Sequence, residues 1–182
     1  MTGSTRPFMT GIIRKQGDLN LAKAIIATPM ASQNGHAAAI EARGRLGADP
    51  NIAKNNSCTP MFMAAQCGHI AAIEALGRLG ADVNLADNNG TTPTSKAAYQ
   101  GDVRALECLV QFGPDINKAD NVGRSPVWWA AWNGKAATLE ILGKLGADIH
   151  KPSQTGKTPL TTAEEQGHAE AASILRSLGA TT

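Results

Sequence analysis

The sequence predicts an all-α fold, a solenoid of about five stacked helical pairs, and three observations carry that prediction. Pro60, Pro93, Pro126 and Pro159 recur every 33 residues, and Gly35, Gly68, Gly101, Gly134 and Gly167 keep the same step. Residues 36–55, HAAAIEARGRLGADPNIAKN, match residues 69–88, HIAAIEALGRLGADVNLADN, at 15 of 20 positions. Aromatic residues make up only 4% of the 182-residue chain, while alanine and glycine abound, which suits closely packed helices better than a sandwich or barrel.

Each landmark has a local physical reason. In the Thr-Pro steps at 59–60, 92–93 and 158–159, and in Ser-Pro at 125–126, a hydroxyl residue caps the helix that follows. The proline then sits in the first turn, where its missing N–H is harmless. About eight residues on, as the spacing puts it, a glycine suits the left-handed conformation that ends a short helix. His69, Asp102, Lys135 or His168 opens a second helix, with apolar residues at helical spacing such as Ile70, Ile73, Leu76 and Leu79. GAD or GPD closes it. Turn segments follow, NNG at 88–90, NVG at 121–123 and QTG at 154–156. One such unit cannot bury its own apolar face, so units must stack.

The pattern TPMFMAAQCGHIAAIEALGRLGADVN (59–84) and its three successors strongly resembles the ankyrin repeat family. The resemblance implies β-hairpin fingers, short helices lining a concave groove and longer helices on the convex back. It divides the chain into a degenerate N-terminal capping segment, 1–27, and repeats over 28–182. Of these, 28–50 is irregular, and 51–83, 84–116, 117–149 and 150–182 are regular. In the irregular unit TPMASQNGH has two steps fewer from proline to glycine than later repeats. Upstream, QGDLNLAKAII (16–26) aligns with QGDVRALECLV (100–110), although Asn20 can instead be matched to Asn51. Arg43 standing where Leu76 stands in the next repeat fits a terminal unit with a wetter face. Glycines 44, 77 and 143 interrupt the second helices and weaken their propensity by about 1 kcal/mol each relative to alanine. Leu46, Leu79 and Leu145, two positions on, are the expected compensation, with closer helix approach at each glycine.

All three tryptophans fall in SPVWWAAWNGK, 125–135. At about 100° per residue, Val127, Ala130, Ala131 and Gly134 share one narrow inward face. Trp128 and Trp132 lie together on one flank, and Trp129 lies on the other with Asn133. Trp129 shares its column with Met63, Lys96 and Thr162 and reads as packing between repeats, the Lys96 stem lying along the ring with its ammonium in water. Trp128, in the column of Phe62, Ser95 and Thr161, reads equally as packing or as groove edge. Trp132 belongs with Gln66, Tyr99 and Glu165, beside the column Cys67, Gln100, Asn133 and Gln166. The resemblance implies that these two columns face the groove. A Tyr99/Trp132 pair there has the composition of an interface hot spot. The turn segments add Asn55, Asn56, Asn88, Asn89, Asn121, Val122, Arg124, Gln154, Thr155 and Lys157, as contacts or simply as turn formers.

Chemistry is harder to find. His36, His69 and His168 occupy the same repeat position and are dispersed along the array, so they cannot converge on one site. Glu164 and Glu165 point apart on one helix and read as a solvated pair. Cys67 and His69 flank Gly68 without further metal ligands, and every glycine is a repeat landmark, which leaves no phosphate loop. The net charge of +2 is scattered, giving no basic stripe for nucleic acid. No apolar run is long enough for a bilayer, and MTGSTRPFMTG lacks a secretory h-region. Cys58, Cys67 and Cys108 form no CxxC and read as reduced thiols of a cytoplasmic protein.

The expectation is a monomeric, non-enzymatic scaffold that holds a protein or peptide in its groove and needs no cofactor. A structural spacer, or a groove for a small hydrophobic molecule, are the rivals. The resemblance further implies that Asn84 and Asn117, in VN and IN, are candidate sites of asparagine hydroxylation.

Overall fold

The computed structural model describes residues 31–32, 34–53 and 57–181. The expected capping segment 1–27 lies outside them, as do Asn55 and Asn56. Nine helices follow in chain order among the described residues: α1 (Ala37–Arg45), α2 (Pro60–Cys67), α3 (Ile70–Arg78), α4 (Pro93–Gln100), α5 (Val103–Val110), α6 (Pro126–Trp132), α7 (Ala136–Lys144), α8 (Pro159–Glu165) and α9 (Ala169–Ser177). The short helices α2, α4, α6 and α8 pack one on the next. The others, α1, α3, α5, α7 and α9, form a second layer behind them. The fold is the all-helical solenoid that the periodicity predicts.

The caps explain why the helices begin where they do. The hydroxyls of Thr59, Thr92, Ser125 and Thr158 accept from the backbone N–H of Phe62, Ser95, Trp128 and Thr161 at 3.1–3.2 Å. Gly68 and Gly101 end α2 and α4 at φ 67° and 79°, a region that only glycine enters cheaply. Asp102 caps α5 through Ala105 N–H at 3.0 Å. Between the layers, Ile73, Leu76, Leu106, Leu109, Leu139, Leu142 and Leu175 are fully buried against the small faces of the short helices, Ala64, Ala97 and Ala130 among them.

The glycines inside the second helices are filled differently from the sequence expectation. A Cβ on Gly44 would overlap the Leu79 methyls, one on Gly77 the Phe112 ring and one on Gly143 the Leu178 methyls. Each glycine is therefore a socket for a side chain of the following repeat. Leu46 and Leu145, expected to compensate within their own helices, stand 67% and 37% exposed. For Leu145 the reason is visible: the equivalent socket position in α5 holds Val110.

The repeated asparagine is a rung. Asn51, Asn84 and Asn117 each accept, through the side-chain oxygen, the backbone N–H of Asp82, Asp115 and Asp148 in the next repeat, all at 2.8 Å. The fingers are hairpin turns, and no strand is formed among the described residues. Asp87 and Asp120 each close their own turn, accepting from Asn89 and Thr91 N–H, and from Val122 and Arg124 N–H, at 2.9–3.0 Å. A single backbone bond joins neighbouring tips: Asn121 donates to Asn89 at 2.9 Å, and Gln154 to Val122 at 3.0 Å.

Candidate functional site

Between the fingers and the short helices lies a cavity of about 720 Å³. Its helical wall carries Phe62, Ser95, Lys96, Tyr99 and the three tryptophans; its finger wall carries Asp87, Asn89, Thr91, Val122, Arg124, Ser153, Thr155 and Lys157. The floor is a connected aromatic cluster. Trp128 and Trp132, four residues apart on α6 and so on one helical face, stack with centroids 5.2 Å apart and planes 15° from parallel. Trp129 meets Trp128 edge-on at 5.4 Å and Tyr99 of the preceding repeat at 5.5 Å.

The rings have unequal exposure. Trp128 is 5% exposed, which settles it as packing with one side on the cavity; Trp132 is 38% exposed. Tyr99 and Trp132 both line the cavity, but the stacked partner of Trp132 is Trp128 and the ring contact of Tyr99 is Trp129. A shared column does not put two rings in contact, because α6 turns Trp129 rather than Trp132 onto the Tyr99 ring. The Lys96 ammonium lies 5.3 Å from the Tyr99 centroid. The ring face of Trp129 is taken by Arg124, whose guanidinium carbon is 4.2 Å from its centroid and 5.6 Å from that of Trp128.

Arg124 is held in that position. Its Nε donates to Asp120 Oδ2 at 2.8 Å, and the Asp120 side chain is fully buried. Lys157 pairs with Glu165 at 2.5 Å. The indole N–H groups of Trp128 and Trp129 are buried without an acceptor.

Eight of the contact candidates singled out from sequence therefore meet here: Asn89, Tyr99, Val122, Arg124, Trp128, Trp132, Thr155 and Lys157. Gln66, Cys67 and Gln100 line a second, polar pocket with Asp102 and Arg104. Gln100 and Asn133 also reach back to the preceding repeat, donating to the carbonyls of Gln66 and Tyr99 at 3.2 and 2.8 Å. Asn121 donates its amide to the Asn88 carbonyl at 3.0 Å, so finger asparagines tie tips together. Glu165 stands exposed, its carboxylate on Lys157, and Gln166 is exposed. Asn84 and Asn117 are half-buried, their carboxamide oxygens held in the rungs. Sequence reasoning did not place Ser95, Thr91, Ser153 or Asp87 at a site. The one available signal was Lys96, a cation in a column otherwise holding Met63, Trp129 and Thr162.

No helix among the described residues is long and apolar enough to cross a membrane. Stacked helical pairs with finger turns along one flank define a helical repeat protein of the solenoid class. A family model described as ankyrin repeats (3 copies) matches residues 13–120, 76–153 and 95–182. The chain belongs to the ankyrin repeat family, whose members are generally protein–protein interaction modules. No curated protein matches it significantly.

Proposed function

We propose that this chain is a non-catalytic recognition scaffold, which takes a protein or peptide into the groove between its fingers and short helices. The observation that carries this reading is Trp132, a large ring left 38% exposed over a cavity where Tyr99, Trp128 and Trp129 are fixed by one another. A well-anchored aromatic at the centre of a concave surface is the usual composition of a binding hot spot. Rigidity adds to it: α4 and α6 are pinned by ring contacts before any partner arrives, so binding orders few side chains. The exposed finger residues Asn88, Asn89, Asn121 and Val122, with Gln66, Cys67, Gln100, Asn133, Glu165 and Gln166, form the outer contact surface in this reading.

A second reading has an observation in its favour. The cavity volume falls in the range typical of small-molecule sites, and its floor is mostly aromatic. A small hydrophobic ligand would blue-shift and protect the tryptophan emission at low concentration without any peptide. For the leading reading, Trp132→Ala weakens binding of a peptide selected on the folded chain by about 2 kcal/mol or more and leaves unfolding cooperative. Unchanged affinity, measured by calorimetry, removes Trp132 from the interface. In the same reading the protein acts as a cytoplasmic monomer. Asn84 and Asn117 remain the positions that family resemblance implies for hydroxylation, and their rungs must loosen before an enzyme reaches them.

A further inference from the structure

Arg124 stands apart from the other residues that line the cavity. The turn it belongs to does not need it. Asp87 closes the preceding finger by the same two backbone bonds as Asp120, with Thr91 in the position of Arg124. In the equivalent places of the other regular repeats stand Cys58 and Lys157. Arg124 instead lies across two indoles, its Nε fixed by a fully buried carboxylate. Its terminal guanidinium nitrogens make no hydrogen bond or ion pair among the described residues. Such a planar fork, oriented beforehand, suits a carboxylate in two-point contact.

Lys96 lines the same cavity, over Tyr99, and no carboxylate among the described residues pairs with it. Two of the local carboxylates are paired, Asp120 with Arg124 and Glu165 with Lys157, and Asp87, which also lines the cavity, holds its finger through Oδ1. The cavity thus meets its occupant with two cations, Arg124 and Lys96, above an apolar floor, and each already lies over a ring, Trp129 or Tyr99, that a cationic ligand would want. Trp132 is left open for an apolar side chain.

We infer that the occupant is a peptide segment in which an Asp or Glu stands beside a large apolar residue, the carboxylate on Arg124 and Lys96 and the apolar side chain on Trp132. This rests on the groove reading above and narrows it. Net charge at the site is balanced, so directional hydrogen bonds, rather than a long-range field, supply the preference.

A random peptide library selected on the folded chain tests it. Winners carry Asp or Glu next to Leu, Phe or Trp. Replacing that acid by its amide weakens binding roughly tenfold or more, as does Lys96→Met or Arg124→Gln. Lys96→Met reproduces the Met63 of an earlier repeat and keeps the fold, so it decides the matter if loss of Arg124 leaves Asp120 unpaired and unfolds the finger. Winners that need Trp132 but have no acid, and ignore Lys96→Met, overturn this inference and spare the groove. Winners indifferent to Trp132→Ala, or no winners, overturn both. N-acetyl-tryptophan competing as tightly as a selected peptide assigns the cavity to a small carboxylate and overturns the peptide.

Discussion

Burial gives the three thiols different chemistry. Cys67, at the end of α2, is exposed, whereas Cys58 and Cys108 are buried. Burial pushes the Cys108 thiol above its ordinary range, and the negative charge of Glu74 adds to the effect against a smaller opposing pull from Arg78. A neutral, covered thiol is a poor nucleophile. A thiol reagent at neutral pH should therefore label Cys67 alone in the folded chain, with Cys58 and Cys108 reacting only as denaturant unfolds it; early labelling of Cys108 would contradict the packing. The sign of the pH effect follows from the raised value. Folded chains hold the Cys108 proton after unfolded chains have released it, so this contribution to stability is intact below the thiol's ordinary range and is lost as alkaline pH rises through the raised one. A Cys108→Ala variant should show a shallower alkaline decline of the urea midpoint. The tryptophans carry the residue-scale lesson about legibility. Helical spacing separates Trp132 from Trp129, and the structure keeps that separation. It carries no information about Arg124 crossing from a finger onto the indoles, because that contact depends on how far the finger stands from the helix.

Among the elements, the glycine sockets show most clearly what periodicity conveys and what it conceals. Caps, helix ends and the order of helices follow from hydroxyl, proline and glycine positions that act within one turn, which is why they were legible. The partner of each internal glycine lies in the next repeat, so Leu79 fills the socket of Gly44 rather than compensating Gly77, and local reasoning cannot see that pairing. Gly77 makes the point testable. Alanine there improves helix propensity by about 1 kcal/mol, but its Cβ would meet the Phe112 ring, and overpacking of this kind typically costs about 1–3 kcal/mol. Gly77→Ala should thus be neutral to destabilising in the native background. In a Phe112→Ala background the same change should stabilise by up to about 1 kcal/mol, since only propensity is left. Chemical denaturation of the four proteins measures the coupling directly. Additive effects would show that the ring does not occupy the glycine socket.

At the scale of the whole molecule, an array of this kind holds together through contacts between nearest neighbours, and cooperativity depends on each seam being strong enough. Rungs from Asn51, Asn84 and Asn117 repeat at successive seams with the same 2.8 Å geometry, so they do not distinguish one seam from another. The seam between α4 and α6 is distinguished by Trp129, which meets Tyr99 of the preceding repeat as well as Trp128 and Arg124 of its own. The opposite layer is less well fitted there, because α5 offers Val110 in place of a glycine socket and Leu145 stays partly exposed. Removing the indole from the tight side of a seam whose other side is already loose should uncouple the two halves of the array. Trp129→Ala is expected to cost about 3 kcal/mol, in the range of other large aromatic deletions. Its unfolding by urea should split into two transitions when followed by circular dichroism. Trp132→Ala, which removes a ring from the surface of the same cluster, should cost less and keep a single transition. If both variants unfold in one step with equal loss, the cluster is a passive lining of the groove, and the stiffness that would prepare this surface for a partner must come from the rungs and helix layers alone.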